Sequence, residues 1–381
     1  MIIEDVETLF VDRWLFVRVH TDVGIVGLGE SGTWGYLEAS EKAIQTFKRY
    51  LIGQDPLRIE HHWQYMYRNS HFRGATIMGA ISAIDIALWD IAGKHFDAPS
   101  YQLLGGKCRD KARVYVHIYG DTTEELVEKC LKAKEKGFTA VGHLSPFLDE
   151  SREKPYFRTH ANMIREAAKR IGSIREAVGD EVDLCIEIHR RLTPAEAIAL
   201  ARELEPFRPF FYEDPVPPDD LDAMVQVADH TSIPIATGER LHTIYEFEML
   251  LSRGAVHYVR PDVCMAGGLT HAKKIAALAE ANHVGVVPHN PLSPVSTAAC
   301  LQLDACIPNF SLQEFPLQPE LEGAPGENLL KEPLEVEEGY LMIPDRPGIG
   351  IELDDNALRK YPYVPRKFIT RLHEDGSVVD Q

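Results

Sequence analysis

The order of apolar and polar residues divides the chain into two patterns. Near the N-terminus, Leu15, Val17 and Val19 alternate with polar residues, residues 21–24 form a turn signal, and residues 25–29 return, which predicts a β-hairpin. Further on, apolar residues recur at helical spacing between Ile77 and Ile91 and predict a helix. Residues 1–112 are therefore expected to form an α+β domain.

From residue 113 onward, short apolar runs alternate with amphipathic helical segments such as residues 123–136 and 193–204. The predicted strands are residues 114–119, 140–144, 184–188, 210–212, 233–236, 258–259, 284–287 and 310–312. Eight such repeats predict a (β/α)8, or TIM, barrel over residues 113–320. The alternative is an open doubly wound sheet, but no GxGxxG follows the first strand and no Walker A sequence occurs. The Pro- and Gly-rich residues 321–381 are expected to pack back on the first domain.

Three of the predicted strands end in a glutamate at a constant interval. Glu187 and Glu213 are 26 residues apart, and so are Glu213 and Glu239. An interval of this size fits one strand and one crossover helix, so the chain repeats a βα unit with a carboxylate at each strand end. Because neighbouring parallel strands lie about 4.8 Å apart, three such carboxylates can converge on one hard cation. The sequence therefore predicts a Mg²⁺ site.

Composition and charge narrow the class of protein. With 40 basic and 58 acidic residues, the net charge of −18 disfavours nucleic acid and anionic membranes as partners. The six cysteines show no CxxC spacing and indicate reduced core residues. The N-terminus is acidic where a signal peptide would be basic, and no apolar run approaches the roughly 20 residues that span a bilayer. We therefore expect a cytoplasmic protein.

Ionisable residues occur at the ends of strands three to eight in unbroken succession. In a barrel of this kind the active site forms at the carboxyl ends of the strands. The residues found there are Glu187, His189, Glu213, Glu239, Asp262, His289 and Glu314. Surface charge has no reason to follow strand ends, so the set indicates a catalytic site.

At these residues the chain resembles the enolase superfamily, in its mandelate racemase subgroup. The matching runs are IDIALWD at 84–90, GK at 93–94, LGG at 104–106, YEDP at 212–215, TGER at 237–240, RPD at 260–262, GG at 267–268 and PH at 288–289. Within the superfamily, the pairing of His189 with His289 is most similar to the sugar-acid dehydratases, galactonate dehydratases among them. The first metal position is Glu187 where most of these enzymes carry Asp, which lengthens the ligand arm.

The resemblance implies a role for each residue of the set. Glu187, Glu213 and Glu239 would bind one Mg²⁺ per subunit, which stabilises the enediolate formed when a proton leaves the carbon beside a carboxylate. The Lys-x-Lys pair common at the end of strand two is missing, since Gly142 and Leu144 flank His143. The base would then be His289, oriented by Asp262. His189 would be the acid that protonates the departing 3-hydroxyl group, and Glu314 would donate or share a proton with the enediolate oxygen.

The implied activity is that of a carbon–oxygen lyase, which dehydrates an aldonate such as D-galactonate to a 2-keto-3-deoxy acid. Gluconate and mannonate are alternative substrates. A second reading is an epimerase or cycloisomerase of the same superfamily, and a third is a catalytically weak protein that binds sugar acids. The missing strand-two lysines disfavour the epimerase, and the complete set of strand-end residues disfavours the binding protein.

Substrate contacts are expected from the loops. In this family the capping domain sets specificity, and Trp34 and Arg73 are the candidates there. His143 and Arg190 are further candidates at the ends of strands two and three. The charged insertion at residues 146–159 could form a lid or an oligomer contact. By analogy with the family, the chain is expected to form a homo-oligomer, from a dimer to an octamer.

Overall fold

A computed structural model describes residues 1–148, 153–189 and 191–379. The first part begins with an antiparallel sheet of β1 (Ile3–Val11), β2 (Trp14–Thr21) and β3 (Val26–Ser31), in that order. The helices α1 (Leu37–Leu51), α2 (Ile59–Asn69), α3 (Ala75–His95) and α4 (Ser100–Leu103) follow. The predicted hairpin corresponds to β2 and β3, and the predicted helix lies within α3. β1 was not predicted.

The core of this part is α3, which packs against β3. A side chain on Gly29 would place its Cβ 2.0 Å from the carbonyl oxygen of Ala83, so the strand can approach the helix only with glycine at this position. α3 has the length and hydropathy of a membrane span, but 78% of its most apolar window is buried inside the protein. Burial on almost all sides explains an apolar surface all round the helix.

The second part is a barrel of eight parallel strands, as predicted. They are β4 (Lys111–His117), β5 (Ala140–Leu144), β6 (Asp183–Glu187), β7 (Phe211–Glu213), β8 (Ile235–Thr237), β9 (Tyr258–Val259), β10 (Gly285–Val286) and β11 (Gln313–Phe315). Each strand from β4 to β9 pairs in parallel with the next. The barrel closes because β11 pairs with β4, and Phe310 forms a parallel bridge with Val286. Apolar side chains, including Tyr115 and Phe211, fill its interior.

The eighth strand was predicted at residues 310–312, three residues too early. Phe310 forms only an isolated bridge, and the continuous pairing with β4 begins at Gln313. In the sequence, the polar residues Gln313 and Glu314 follow the predicted strand. In the structure they lie inside β11, where both side chains are buried and hydrogen-bonded. Glu314 therefore projects from the strand itself.

Seven longer helices connect the barrel strands. They are α5 (Thr123–Glu135), α6 (His160–Val178), α7 (Pro194–Leu204), α8 (Leu221–Ala228), α9 (Ile244–Leu251), α10 (Gly268–Ala281) and α11 (Pro294–Cys306). Several begin with a side chain that accepts from a backbone N–H of the first turn, for example Thr193, which forms a capping box with Glu196. These caps set the helix starts directly after the loops that carry the strand-end residues.

The C-terminal segment contacts both parts of the chain. The hairpin of β12 (Val336–Glu337) and β13 (Tyr340–Met342) adds to the barrel, because β13 pairs antiparallel with β4. Beyond it, α12 (Asp355–Leu358) reaches the first part through an ion pair between Asp355 and Arg18. The division into domains at residues 112 and 320 stays a prediction.

A buried carboxylate, Asp90, joins three segments of the fold. Its Oδ2 accepts hydrogen bonds from the Leu28 N–H at 2.8 Å and the Lys94 ammonium at 2.6 Å. Its Oδ1 accepts the N–H of Ile349 in the C-terminal segment at 2.9 Å. Asp90 therefore ties β3, α3 and the C-terminal segment together.

We expect Asp90→Asn to lower the free energy of unfolding by about 2–4 kcal/mol, because it leaves a partly buried cation and two backbone donors poorly paired. Urea unfolding measures the loss. Glu128→Gln is the control, since it removes an exposed partner of Lys132 and should leave the unfolding curve in place. Equal losses in the two variants would contradict the role of Asp90.

Candidate active site

Three carboxylates meet at the mouth of the barrel. Glu187 and Glu213 are the last residues of β6 and β7 and are register partners, and Glu239 follows β8. One oxygen of each lies within 4.8 Å of the others. The sequence prediction that these three side chains converge agrees with this geometry.

The cluster has the donor set of a hard divalent cation. Burial, reinforced by the negative charges of Glu187, Asp214 and Glu314, raises the pKa of Glu213 well above its ordinary value, although Arg260 opposes the shift. Three crowded, largely buried carboxylates would be unstable without a partner, whereas a bound divalent cation would compensate their negative charge. Glu187 is also oriented by the backbone, because its Oε1 accepts the N–H of His189 at 2.7 Å. The described residues therefore fit a divalent metal.

A buried arginine connects the carboxylates across the barrel. The Arg260 side chain is 1% exposed and forms ion pairs with Glu213 through Nε and with Glu314 through Nη2, the latter at 2.5 Å. Its Nη2 also donates to the Tyr115 hydroxyl at 2.9 Å. Burial alone would raise the pKa of Glu314, but Arg260, His289 and His117 hold that pKa well below its ordinary value. Glu314 is therefore ionised.

Asp262 and His289 form a dyad on neighbouring strands. The two residues form a parallel bridge, and the His289 Nδ1 lies 2.9 Å from the Asp262 Oδ2. The other oxygen of Asp262 accepts the Cys264 N–H at 2.8 Å, which fixes the carboxylate. The opposite ring nitrogen, Nε2, lies 3.3 Å from Glu239. The dyad thus directs one imidazole nitrogen at the carboxylate cluster.

A row of three histidines lines the other side of the mouth. His143 lies between His117 and His189, with ring centroids 5.1 Å and 4.7 Å away. His117 is fixed at both nitrogens, by Glu314 at 2.8 Å and by the Tyr119 hydroxyl at 3.0 Å. Burial, followed by the neighbouring histidines, lowers the pKa of His143 well below its ordinary value. His143 is therefore a neutral group at neutral pH.

The ends of three consecutive strands adopt left-handed backbone conformations. The residues are His143, the last but one of β5, with φ of 53°; His189, two residues after β6, with φ of 57°; and Asp214, directly after β7, with φ of 41°. Residues with a Cβ seldom adopt this conformation, and it persists where the surroundings fix it. Such positions concentrate at functional sites, which supports the assignment of this mouth as an active site.

Position 142 has no room for a side chain, which explains the glycine there. A Cβ added to Gly142 would lie 2.2 Å from the Tyr115 ring, which in turn is held by Arg260. The aromatic ring occupies the space that the first lysine of a Lys-x-Lys pair would need. The missing lysine and the buried arginine are thus parts of one arrangement.

Most of the candidate residues are brought together, and some are not. The carboxylate cluster, the dyad, His189, His143 and Glu314 share the mouth. Trp34 is half-exposed under the Arg366 guanidinium, and Arg73 is exposed over the Tyr67 ring. No contact found in the described ranges joins Trp34 or Arg73 to the cluster. Arg190 and part of the insertion at 146–159 lie outside the described residues.

Two residues of the mouth were not foreseen, His117 and Tyr119. Both stand at the end of the first barrel strand, so the rule used for strands three to eight would have found them. The role of Arg260 was also missed, because its ion pairs join residues far apart in the sequence.

Comparison with known proteins agrees with this geometry. Residues 5–105 match the family "Mandelate racemase / muconate lactonizing enzyme, N-terminal domain", and residues 125–357 match "Enolase C-terminal domain-like". The chain is 38% identical to the D-galactonate dehydratase of Xanthomonas oryzae pv. oryzae (strain PXO99A) over 97% of this chain and 96% of that one. It is also 38% identical to the D-galactonate dehydratase of Ralstonia pickettii (strain 12J), with the same coverage.

Solved structures are similar over nearly the whole chain. A mandelate racemase/muconate lactonizing enzyme from Jannaschia sp. CCS1 aligns with a TM-score of 0.87 and 34% identity, over 96% of this chain and 99% of that one. An enolase from Agrobacterium radiobacter, named as a candidate galactarate dehydratase and solved with Na and L-malate, aligns with a TM-score of 0.92. Its identity is 30%, and both chains are covered completely.

We expect Glu213→Gln to weaken Mg²⁺ binding by more than about 10-fold, the lower end of the loss caused by removing even an outer partner of a metal ligand. Isothermal titration calorimetry of the metal-free protein measures the affinity. Glu248→Gln, an exposed position on α9, makes the same change in charge away from the cluster and should bind Mg²⁺ like the wild type. Equal affinity in the two variants would show that the cluster is not the metal site.

Proposed function

The chain belongs to the mandelate racemase/muconate lactonizing enzyme family of the enolase superfamily, and on this premise we propose that it is a Mg²⁺-dependent sugar-acid dehydratase. The proposed reaction removes water from an aldonate such as D-galactonate and gives a 2-keto-3-deoxy acid. The observation that carries the proposal is the Asp262–His289 dyad, which directs an imidazole nitrogen at the three-carboxylate cluster. The relatives named D-galactonate dehydratase support the substrate class.

In this proposal His289 abstracts the proton from C2. Because the Nδ1–H of His289 donates a hydrogen bond to Asp262, the lone pair of the neutral imidazole lies on Nε2, on the side of the cluster. Asp262 also stabilises the imidazolium that results. Glu187, Glu213 and Glu239 would hold the Mg²⁺, whose charge stabilises the enediolate.

His189 is proposed as the acid for the departing 3-hydroxyl group. It follows Glu187 by two residues, and its backbone N–H is anchored on that carboxylate. Glu314 is ionised and has no proton to donate, so we propose that it shares the proton on the His117 Nε2. A proton shared in this way would reduce the repulsion between the Glu314 carboxylate and the negative charge that develops on the enediolate oxygen.

The substrate contacts stay proposals. His143 presents a neutral ring beside His189 and could contact a sugar hydroxyl. Trp34 and Arg73, on the loops before α1 and before α3, would contact the distal part of the substrate. Arg190 follows the proposed acid in sequence. We also propose that the protein forms a homo-oligomer. A cytoplasmic location is proposed as well, and the free thiols at all six cysteines agree with it.

An epimerase or cycloisomerase is the weaker proposal. A two-base racemisation needs catalytic groups on both faces of the carbon. The chain has Gly142 and Leu144 in place of the two strand-two lysines, and the Tyr115 ring leaves no room for a side chain at position 142. A sugar-acid-binding protein without turnover would not need the hydrogen-bonded dyad. Gluconate and mannonate remain alternative substrates.

We expect the protein with Mg²⁺ to convert one member of a panel of aldonic and aldaric acids to a 2-keto-3-deoxy product, and EDTA to abolish the conversion. Semicarbazone absorbance measures the product. The panel includes galactonate, gluconate, mannonate and galactarate. Binding without turnover across the panel would favour the binding-protein reading, and a product that retains the hydroxyl would favour the epimerase.

We expect His289→Asn to lower kcat by about 10²–10⁴-fold, the usual contribution of a positioned base, and to stop exchange of the C2 hydrogen with deuterated solvent. Proton NMR of the substrate follows the exchange. His95→Asn, an exposed histidine in the last turn of α3, should keep both activities. Exchange that persists in the His289 variant would assign the base elsewhere.

The dependence of kcat/KM on pH should reflect the pKa of His289 in the dyad. Burial lowers the pKa of His289, but the carboxylates of Glu239, Glu314 and Asp262 outweigh it and raise the pKa to about 9. A cation on Glu239 would offset part of this attraction, so kcat/KM should rise with pH along a limb below about 9. Asp262→Asn removes a negative charge and should move this limb to lower pH while reducing the rate. A limb that stays in place would exclude Asp262 as the partner of the titrating group.

A further inference from the structure

A carboxylate of the N-terminal sheet reaches into the barrel. Glu30, near the end of β3, is fully buried. Its Oε2 accepts the Ser293 hydroxyl at 2.5 Å and the Ser296 N–H at 3.0 Å, and its Oε1 lies 3.4 Å from the Ser293 N–H. Ser293 is the N-cap of α11, and it accepts the N–H of Val295. Glu30 therefore holds the start of α11 with three hydrogen bonds.

The segment held by Glu30 lies a few residues after the proposed base. Ser293 lies four residues after His289 in the sequence. Between them, Asn290 donates its backbone N–H to the Glu314 Oε2 at 2.8 Å and its side-chain amide to the Thr297 hydroxyl at 2.8 Å. The residues after His289 are therefore anchored on one side by the barrel and on the other by Glu30.

The same strand end also contacts the segment that follows Asp262, the other half of the dyad. The Gly32 N–H donates to the Cys264 carbonyl at 3.0 Å, and the Cys264 N–H donates to the Asp262 carboxylate at 2.8 Å. Glu30 and Gly32 are two residues apart, so one short stretch contacts the segments that follow both Asp262 and His289. The loop that carries Trp34 continues from this stretch.

We propose that Glu30 is a positioning residue for the general base: by fixing residues 293–296 against the N-terminal sheet, it keeps the His289 imidazole aligned with Asp262 and the carboxylate cluster. The inference rests on the proposed function, since His289 acts as a base only in that reading. It adds that the N-terminal sheet, besides carrying substrate loops, maintains the geometry of the proton-abstracting group.

A second carboxylate provides a matched control. Asp85, on α3, is also buried and accepts the Thr270 N–H at 3.0 Å and the Thr270 hydroxyl at 2.5 Å, within the first turn of α10. Like Glu30, it attaches the N-terminal part to the start of a barrel helix. Thr270 lies eight residues beyond Asp262, however, and Asp262 is held independently by Cys264. A purely structural role predicts equal effects of changing Glu30 and Asp85.

The test compares Glu30→Gln with Asp85→Asn in the Mg²⁺-loaded full-length protein. The glutamine keeps the shape of the side chain but turns its amide group toward backbone donors. Because a displacement of about 1 Å at a reacting group can cost about 100-fold in rate, we expect a 10- to 100-fold lower kcat with KM nearly unchanged. Asp85→Asn should lower the melting temperature comparably and leave kcat within about threefold of wild type.

A double-mutant cycle with Ser293→Ala tests whether Glu30 acts through Ser293. If Glu30 acts through Ser293, the double variant Glu30→Gln/Ser293→Ala should lose no more kcat than the worse single variant. Additive losses would overturn the path through Ser293. Equal kcat in Glu30→Gln and Asp85→Asn would overturn the positioning role.

Hydrogen–deuterium exchange separates this inference from the proposed function, because it needs no substrate. Peptides spanning residues 290–300 should exchange faster in Glu30→Gln than in wild type, and peptides spanning 265–275 should do so in Asp85→Asn. Unchanged exchange over 290–300 would overturn the inference even if the protein is a dehydratase. An inactive wild type with faster exchange in Glu30→Gln would remove the proposed function while retaining the contact.

Discussion

Negative charge concentrated inside the barrel mouth is the constraint on which the site depends. Glu187, Glu213, Asp262 and Glu314 are all nearly inaccessible to solvent. Burying an unpaired carboxylate is costly, so each one needs a donor or a cation nearby. Arg260 supplies one positive charge and divides it between Glu213 and Glu314. The remaining charge at Glu187, Glu213 and Glu239 explains why a divalent cation suits the cluster.

Arg260 also decides which oxygens remain available. By pairing with Glu314, it keeps that carboxylate ionised, and the other oxygen of Glu314 then orients His117. By donating to Tyr115, it places an aromatic ring against Gly142. One buried guanidinium thus links the metal cluster, the row of histidines and the missing lysine. Truncation of Arg260 would disturb all three, which makes its effect on any single step hard to isolate.

The sequence alone predicted the parts of the site that follow from periodicity. Parallel strands of one barrel end on the same face, so the regular interval between Glu187, Glu213 and Glu239 was sufficient to bring them together. Asp262 and His289 were found by the same rule. The extent of the eighth strand was not contained in this pattern. It depended on buried hydrogen bonds of Gln313 and Glu314, which a change from apolar to polar residues cannot reveal.

The contacts between the two parts of the chain were also beyond sequence reasoning. Glu30 meets Ser293 across more than 260 positions, and no local pattern marks either residue as a partner of the other. From the sequence, a glutamate near a strand end is expected to be an exposed charge, and only the packing of the two parts shows that Glu30 is buried.

The roles proposed for His289 and His189 favour elimination over inversion of configuration at C2. The dyad approaches the cluster from strands six and seven, and His189 and His143 lie on strands three and two. Inversion at C2 would require a second base of high proton affinity opposite His289. His143 does not meet this requirement, because burial among other histidines holds its pKa well below the ordinary value. A neutral histidine of low basicity can still donate a hydrogen bond to a hydroxyl group of the substrate. His143 is therefore unsuited to serve as a second base but suits a contact with a hydroxyl group, which favours the proposed loss of water over a two-base inversion.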